Sequence, residues 1–267
     1  MNEVDFAGFG GVSVKHFLSS DALSSPISLC SEKYEIIYTA SGSGEYILEG
    51  QRIPFCQGFL LLAKPLEFKI AEFCDSEGEI FDLCFSRDDL SPEAAEMLDS
   101  LFLKEGSPSL FYNGGEFRSE ISSLFGCFGA LSSLPKREGG VFAASVVCQL
   151  ISLLSASVGE GYTLPVRGLV FRVTKYINDN IRSDLSLDFL AHRFFVSKYY
   201  LCRAFKQQSG TSIHNYINLK RVLLAKQLIE SGEVAARAAY AVGFGDYSAF
   251  YRAYIKHVGA SPKSKGA

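Results

Sequence analysis

The sequence predicts an α+β fold in two parts: an N-terminal β-barrel with appended helices over 1–157 and an all-α domain over 169–267, joined by a linker at 158–168. Three observations predict it. Residues 26–86 carry short runs rich in Ile, Leu, Phe and Tyr, bounded by Gly, Pro and Ser and spaced about ten residues apart, as in a sandwich or barrel. From residue 91 onward the apolar residues recur at helical spacing instead. The charge also changes sign: residues 1–167 hold 11 Lys/Arg against 23 Asp/Glu, and residues 168–267 hold 15 against 6, within a whole-chain net of −3. An acidic part joined to a basic part of net +9 points the second part at a polyanion.

The strand candidates are "KYEIIYTA", "GEYILEG", "GFLLLAK" and "GEIFDLCFS", with "ASGSGE" as a hairpin turn between the first two. Ser91-Pro92-Glu93 starts a helix, with Ser as N-cap and Pro in the first turn. In 116–134, Phe117, Ile121, Leu124, Phe125, Phe128 and Leu131 form one wide helical face. Residues 141–156 are apolar almost all round and are expected to be buried, against the sheet or in an oligomer interface. "SVGEGYTLPVRG" has no period and reads as the linker. The seven cysteines, Cys30, Cys56, Cys74, Cys84, Cys127, Cys148 and Cys202, never form a CxxC pair, which suits reduced thiols in a cytoplasmic protein. No run of about 18 apolar residues suggests a membrane span, and the acidic N-terminus does not read as a signal peptide.

One phrase occurs twice. "LCRAFKQQSGTS" at 201–212 and "FYRAYIKHVGAS" at 250–261 align without a gap, 49 residues apart. Each belongs to a pair of short helices around a tight turn. In the first copy Ser186 caps the scaffold helix, "FFV" breaks it, and Ser197 caps a helix with Leu201, Ala204 and Phe205 inward. In the second, "VGFG" is the break, Gly243 takes positive φ, and Asp246 caps a helix with Phe250, Ala253 and Tyr254 inward. The outward residues, Tyr199, Cys202, Arg203 and Lys206 and then Tyr247, Ser248, Tyr251 and Arg252, are polar or aromatic. That is how a helix-turn-helix presents a recognition helix to the major groove. A connecting helix over 213–231, about 28 Å long, would set the two recognition helices about 34 Å apart, one turn of B-DNA.

These residues carry a resemblance. Residues 185–262, through "LSLDFLAHRFFVSKYYLCRAFKQQSGTSIHNYINLKRVLLAKQLI" and "AAYAVGFGDYSAFYRAYIKHVGASP", resemble the AraC-type (AraC/XylS) DNA-binding domain. The resemblance implies seven helices with two helix-turn-helix units. "YEIIYTASGSGEYILEGQRIPFCQGFLLLAKP" resembles that family's cupin-like sensor domain. The chain departs from the pattern where it has Phe195 for a turn Gly, and Ala235 and Ala238 for two scaffold Ile. Unless Val234 or Tyr240 compensates, the second unit should be the less stable one. The closing Pro-x-x-aromatic-Arg pattern is replaced after Pro262.

The resemblance implies a sequence-specific transcription regulator whose partner is double-stranded DNA. Arg203 and Arg252 are the expected base readers, since Arg pairs bidentately with guanine. By position the family also contacts bases from places matching Tyr199, Cys202, Tyr247, Ser248 and Tyr251. Lys198, Lys206, Lys220, Lys256 and Lys263 are expected on phosphates, which position without specifying. A small-molecule effector is expected in the first domain, with Glu35, Tyr38, Tyr46, Arg52 and Lys69 as polar candidates in an apolar pocket. A ligand-independent regulator whose first domain serves dimerisation or protein partners is the alternative. The remote third reading, a metal-dependent cupin enzyme, fails for want of imidazoles: His16 lies outside the strand segment, and His192, His214 and His257 in the basic domain have no metal spacing. No catalytic residue, metal or cofactor is expected. Homodimerisation, an activator's contact with RNA polymerase and a cytoplasmic location complete the expectation.

Overall fold

The structure is a computed structural model that describes residues 2–5, 11–19, 27–29, 31–74, 78–102, 110–113, 116–128, 134–157 and 168–262. Leu131, Cys30, Lys263 and most of the expected linker lie outside the described residues. The chain divides into two compact units, residues 1–46 with 53–165, and residues 47–52 with 166–267.

The N-terminal strands form two antiparallel sheets. Strands β1 (Asn2–Asp5), β2 (Ser13–Ser19), β4 (Tyr34–Ser41), β7 (Phe59–Ala63), β9 (Gly78–Phe85) and β10 (Leu110–Asn113) form one sheet in the order β1-β2-β9-β4-β7-β10. Strands β3 (Ile27–Leu29), β5 (Gly44–Leu48), β6 (Gln51–Phe55) and β8 (Lys69–Phe73) form the other, in the order β3-β8-β5-β6. The described pairings give two sheets rather than a closed barrel.

Period-two alternation gives the six-stranded sheet two faces. The register sets Lys15 opposite Asp82, Glu35 opposite Cys84, and Ile37 opposite Asp82. The other face carries Val14, Ile36, Tyr38, Leu60, Phe81 and Leu83, which form one apolar core with helices α1 (Pro92–Phe102), α2 (Arg118–Gly126) and α3 (Lys136–Ala156). Ser91 Oγ accepts from the Ala94 amide at 3.2 Å, so it caps α1 as its sequence predicts. His16 belongs to β2, within the sheet rather than outside it, where it stacks on Phe81 at 4.4 Å and bonds Glu79 at 2.7 Å.

Helix α3 is buried on one face only. Ala143, Val146, Val147, Leu150, Ile151 and Leu154 face the core, while Val141, Ser145, Gln149 and Ser152 are exposed. By length and composition Arg137–Ala156 could cross a membrane, although no uninterrupted apolar run is that long. Its packing into the core cluster makes it a core helix.

The second unit contains helices α4 (Leu169–Asp179), α5 (Leu187–Arg193), α6 (Lys198–Ser209), α7 (Ile213–Glu230), α8 (Ala235–Ala241) and α9 (Tyr247–Val258). Among the described residues these are six helices, against the seven the resemblance implies. Four of these helices begin where a side chain satisfies a free amide. Ser186 accepts from Phe189, Ser197 from Tyr200, Ser212 from Asn215 and Asp246 from Ala249. Helices α4 and α8 have no side-chain cap, with Gly168 and Val234 at their N-cap positions. Gly210 and Gly259 end the two longer partners in left-handed conformation, at φ 70° and 76°.

Candidate nucleic-acid interface and the buried polar clusters

Both helix-turn-helix pairs close on the same backbone pattern. After α5, the Phe195 amide donates to His192 O and Val196 to Ala191 O, at 3.2 and 3.0 Å. After α8, Gly243 donates to Tyr240 O and Phe244 to Ala239 O, both at 3.1 Å. Paired i−3 and i−5 bonds of this kind close a Schellman turn around a left-handed residue. That residue is Gly243 at φ 97° in the second copy, as its sequence predicts, but Phe195 at φ 56° in the first.

The copies are therefore in step at 48 residues in their scaffold helices and at 49 in their recognition helices. The difference is Gly245, one more residue between turn and cap in the second copy. The gap-free phrase does not show this, because the insertion lies just upstream of it.

Of the inward sets, Leu201 and Phe205 are buried in α6 with Ala204 half-buried beside them, and Phe250, Ala253 and Tyr254 are buried in α9. The outward sets are exposed apart from Cys202. Tyr199 is 75% exposed, and Arg203, Lys206, Tyr247, Ser248, Tyr251 and Arg252 are exposed. Cys202 is half-buried. Lys198 is exposed and paired with Asp188, and Lys256 is exposed and bonds Asn215 Oδ1 at 2.6 Å.

Beside Arg252, a cleft of about 500 Å³ is lined by His214, Asn218, Arg221, Arg252, Lys256 and His257, among others. Arg221, Arg252 and Lys256 share this one concavity. Arg221 is anchored there through Ile181 O at 3.0 Å and Ser183 O at 2.8 Å. Burial, and then Lys256, holds His257 below the usual histidine range. The sequence reading missed His214, Asn218 and Arg221 as a group, because they converge with α9 only through tertiary packing.

Lys220 does not fit the phosphate role. It is 5% exposed, and its ammonium donates to Glu49 Oε1 at 2.6 Å. Glu49 belongs to the 47–52 segment of the second unit, is 8% exposed, and also accepts from Tyr216 OH and, at 3.3 Å, from Asn178. Thr174 donates to its carbonyl at 2.9 Å. A charge this deeply paired is unavailable to DNA. The expected compensation in the second unit also fails, since Val234 is 51% and Tyr240 57% exposed. Ala238 instead packs among Val222, Phe244, Phe250 and Tyr254.

The effector candidates separate. Glu35 and Lys69 are buried and paired with each other, and Lys69 also donates to Glu67 O at 3.1 Å. Tyr46 is buried with its hydroxyl 3.2 Å from Thr39 Oγ1. Tyr38 lies on the other face of its sheet, stacked on Phe125 at 4.4 Å. Arg52 is exposed rather than inward. Beside Glu35 lie two residues the sequence reading passed over. The Cys84 thiol donates to Glu35 Oε1 at 3.9 Å and to Asp82 Oδ1 at 3.7 Å. Burial, reinforced by Glu35, pushes Asp82 up to about 8. Burial, with Asp82 and Glu35 adding to it, also raises the Cys84 thiol.

A family model described as a helix-turn-helix domain matches residues 190–265. The chain is 30% identical over 95 residues to the uncharacterized HTH-type transcriptional regulator YdiP of Escherichia coli, covering 35% of this chain and 31% of that protein. It is 28% identical over 163 residues to the arabinose operon regulatory protein of Escherichia coli, covering 58% and 56%. It is 30% identical over 94 residues to the multiple antibiotic resistance protein MarA of Escherichia coli, covering 35% and 74%. The first two alignments thus span well under two thirds of those relatives' own length.

Proposed function

The chain belongs to the AraC/XylS family of helix-turn-helix regulators, and from that premise we propose that it is a sequence-specific DNA-binding transcription regulator that reads one face of a duplex twice. The observation that carries this reading is the duplicated, capped recognition helix, whose outward face is exposed and arginine-bearing in both copies. Arg203 and Arg252 are the base readers, with Tyr199, Cys202, Tyr247, Ser248 and Tyr251 around them. Lys198, Lys206 and Lys256 take phosphates, and the cleft between α7 and α9 seats a further one. Lys263 keeps its phosphate role as part of this proposal.

Selection of bound sequences by the full-length protein, repeated with Arg203→Ala and Arg252→Ala, tests the reading. Each substitution is expected to relax preference at one or two base pairs, at about 1–3 kcal/mol of discrimination. A uniform loss across all sequences reassigns that Arg to the backbone, and an unchanged preference in both variants removes α6 and α9 as the readers.

We read the two sheets as a cupin-like barrel and the first unit as the seat of a small-molecule effector that shifts the populations of two states. The buried polar side chains Glu35, Tyr46 and Lys69 between apolar walls support this. One observation favours the ligand-independent alternative: these same side chains are already satisfied by Lys69–Glu35 and Tyr46–Thr39 contacts. Native mass spectrometry separates the two, since a retained small molecule supports sensing and a bare chain supports a unit for assembly only. Homodimerisation, transcription activation through RNA polymerase and a cytoplasmic site of action follow from the same reading as proposals.

A further inference from the structure

Three donor atoms in the first unit lie where no organic ligand is needed to explain them. Glu35 on β4 and Asp82 and Cys84 on β9 offer one carboxylate oxygen each and a thiol, all within 4.8 Å of one another and all buried. The strand register holds them together, with Glu35 directly across from Cys84 and Asp82 two residues along the same face. Neither carboxylate can retreat to water, since Asp82 is 0% and Glu35 2% exposed.

As a hydrogen-bonded cluster this is poorly satisfied. The two thiol contacts, at 3.9 and 3.7 Å, are long and weak. Asp82 Oδ2 is fully buried with no hydrogen-bond partner, a position that typically costs about 1–3 kcal/mol. The spacing suits a different occupant. A tetrahedral ion with sulfur at about 2.3 Å and oxygen at about 2.1 Å sets sulfur and oxygen about 3.6 Å apart, close to both observed values. Lys69 bonds the far oxygen of Glu35, Oε2, and so leaves Oε1 turned toward Cys84. It acts as an outer partner that orients a ligand. Three anionic donors face one divalent ion and the Lys69 ammonium, with Lys15 across from Asp82 as a further cation, so no uncompensated negative charge is buried.

We propose that Glu35, Asp82 and Cys84 form a buried binding site for one divalent cation of the zinc class, with Lys69 positioning Glu35. The mixed oxygen and sulfur set selects a borderline transition ion over magnesium or calcium. Sulfur ligates as the thiolate, so binding releases the Cys84 proton to solvent and the metal takes its place. The fourth position is left to water or to a ligand from solution. This site does not rest on DNA binding, and it shares Glu35 and Lys69 with the proposed effector seat.

Cobalt(II) is the probe, because thiolate ligation gives a sulfur-to-cobalt charge-transfer absorption. Full-length protein is produced in cobalt-supplemented medium and also refolded with one equivalent of the ion, so that burial does not block entry. One cobalt per chain with the thiolate absorption is expected, displaced by zinc. Cys84→Ser should abolish the absorption, and Asp82→Asn should weaken affinity at least about tenfold. Lys69→Met should keep the absorption while lowering affinity. Circular dichroism checks each variant's fold; should Cys84→Ser not fold, Cys84→Ala with the same readout decides. Wild-type protein that acquires no stoichiometric ion by either route overturns the proposal, as does a thiolate absorption that survives removal of Cys84, which would assign the ion to an exposed thiol such as Cys56 or Cys74.

Discussion

Phe195 holds a backbone conformation that its side chain opposes. At φ 56° its Cβ crowds the neighbouring carbonyl, at a cost of about 1–2 kcal/mol, and at 91% exposure its ring recovers nothing from the core. Phe195→Gly should therefore raise the stability of the full-length protein by about 1 kcal/mol, read as a higher urea midpoint at unchanged slope. Binding weakened by the same substitution would give the ring a role on DNA that explains why strain is kept there. Lys220 presents the opposite case, a basic residue whose charge is consumed inside the fold. Lys220→Met should destabilise by about 3–5 kcal/mol, because it strands the buried Glu49 carboxylate. Adding Glu49→Leu should recover most of that loss. If Lys220→Met instead weakens DNA binding at full stability, the phosphate role returns.

At the level of elements, the capping side chains are the most legible part of the sequence. Ser91, Ser186, Ser197 and Asp246 each stand before an apolar helical face, and each accepts the amide expected of it. Capping is a local interaction, so local sequence suffices to find it. Ser197→Ala and Asp246→Ala should each cost about 1 kcal/mol, measured by thermal unfolding. The second pair is expected to be the weaker, because α8 has no side-chain cap and Ala235 and Ala238 bring little apolar volume. Amide exchange should be faster in α8 than in α5, and equal protection would count against this. His257 adds a pH dependence. Its folded-state pKa is lowered by burial and by Lys256, so the unfolded chain takes up a proton first. Stability should fall as pH drops through the ordinary histidine range near 6.5, and His257→Gln should flatten that fall.

The whole molecule is an acidic unit and a basic unit in one chain, and salt should expose the difference. Binding should weaken with a slope of about −0.9 per phosphate neutralised. Lys206→Ala and Lys256→Ala should each reduce that slope by about one, read from DNA-binding titrations at several salt concentrations. Composition, charge and the repeated phrase set the acidic part apart from the basic one, but nothing in them marks residues 47–52 as grouping with the second unit. Tertiary pairing was not legible. Nothing local marks Glu35, Lys69, Asp82 and Cys84 as partners, since they come from three strands: register joins Glu35 to Cys84 and Asp82, and Lys69 reaches Glu35 from the other sheet. They sit at positions where alternation predicts apolar residues. A search built around histidine passes over a carboxylate and thiol set, and the buried Lys220 looks like any basic helix residue until Glu49 reaches it.

Gly245 bears on how far the two halves can be treated as interchangeable parts. If the recognition helices were true modules, grafting 197–210 in place of 246–259 would carry one specificity into the other position. The additional turn residue means that the two helices leave their scaffolds along different paths, so the same side chains would arrive at a different depth and angle. Such a chimera should fold yet read neither original sequence. Transplanting α5 with its own turn and α6 together, as one rigid unit, is the exchange that should preserve what the helix recognises.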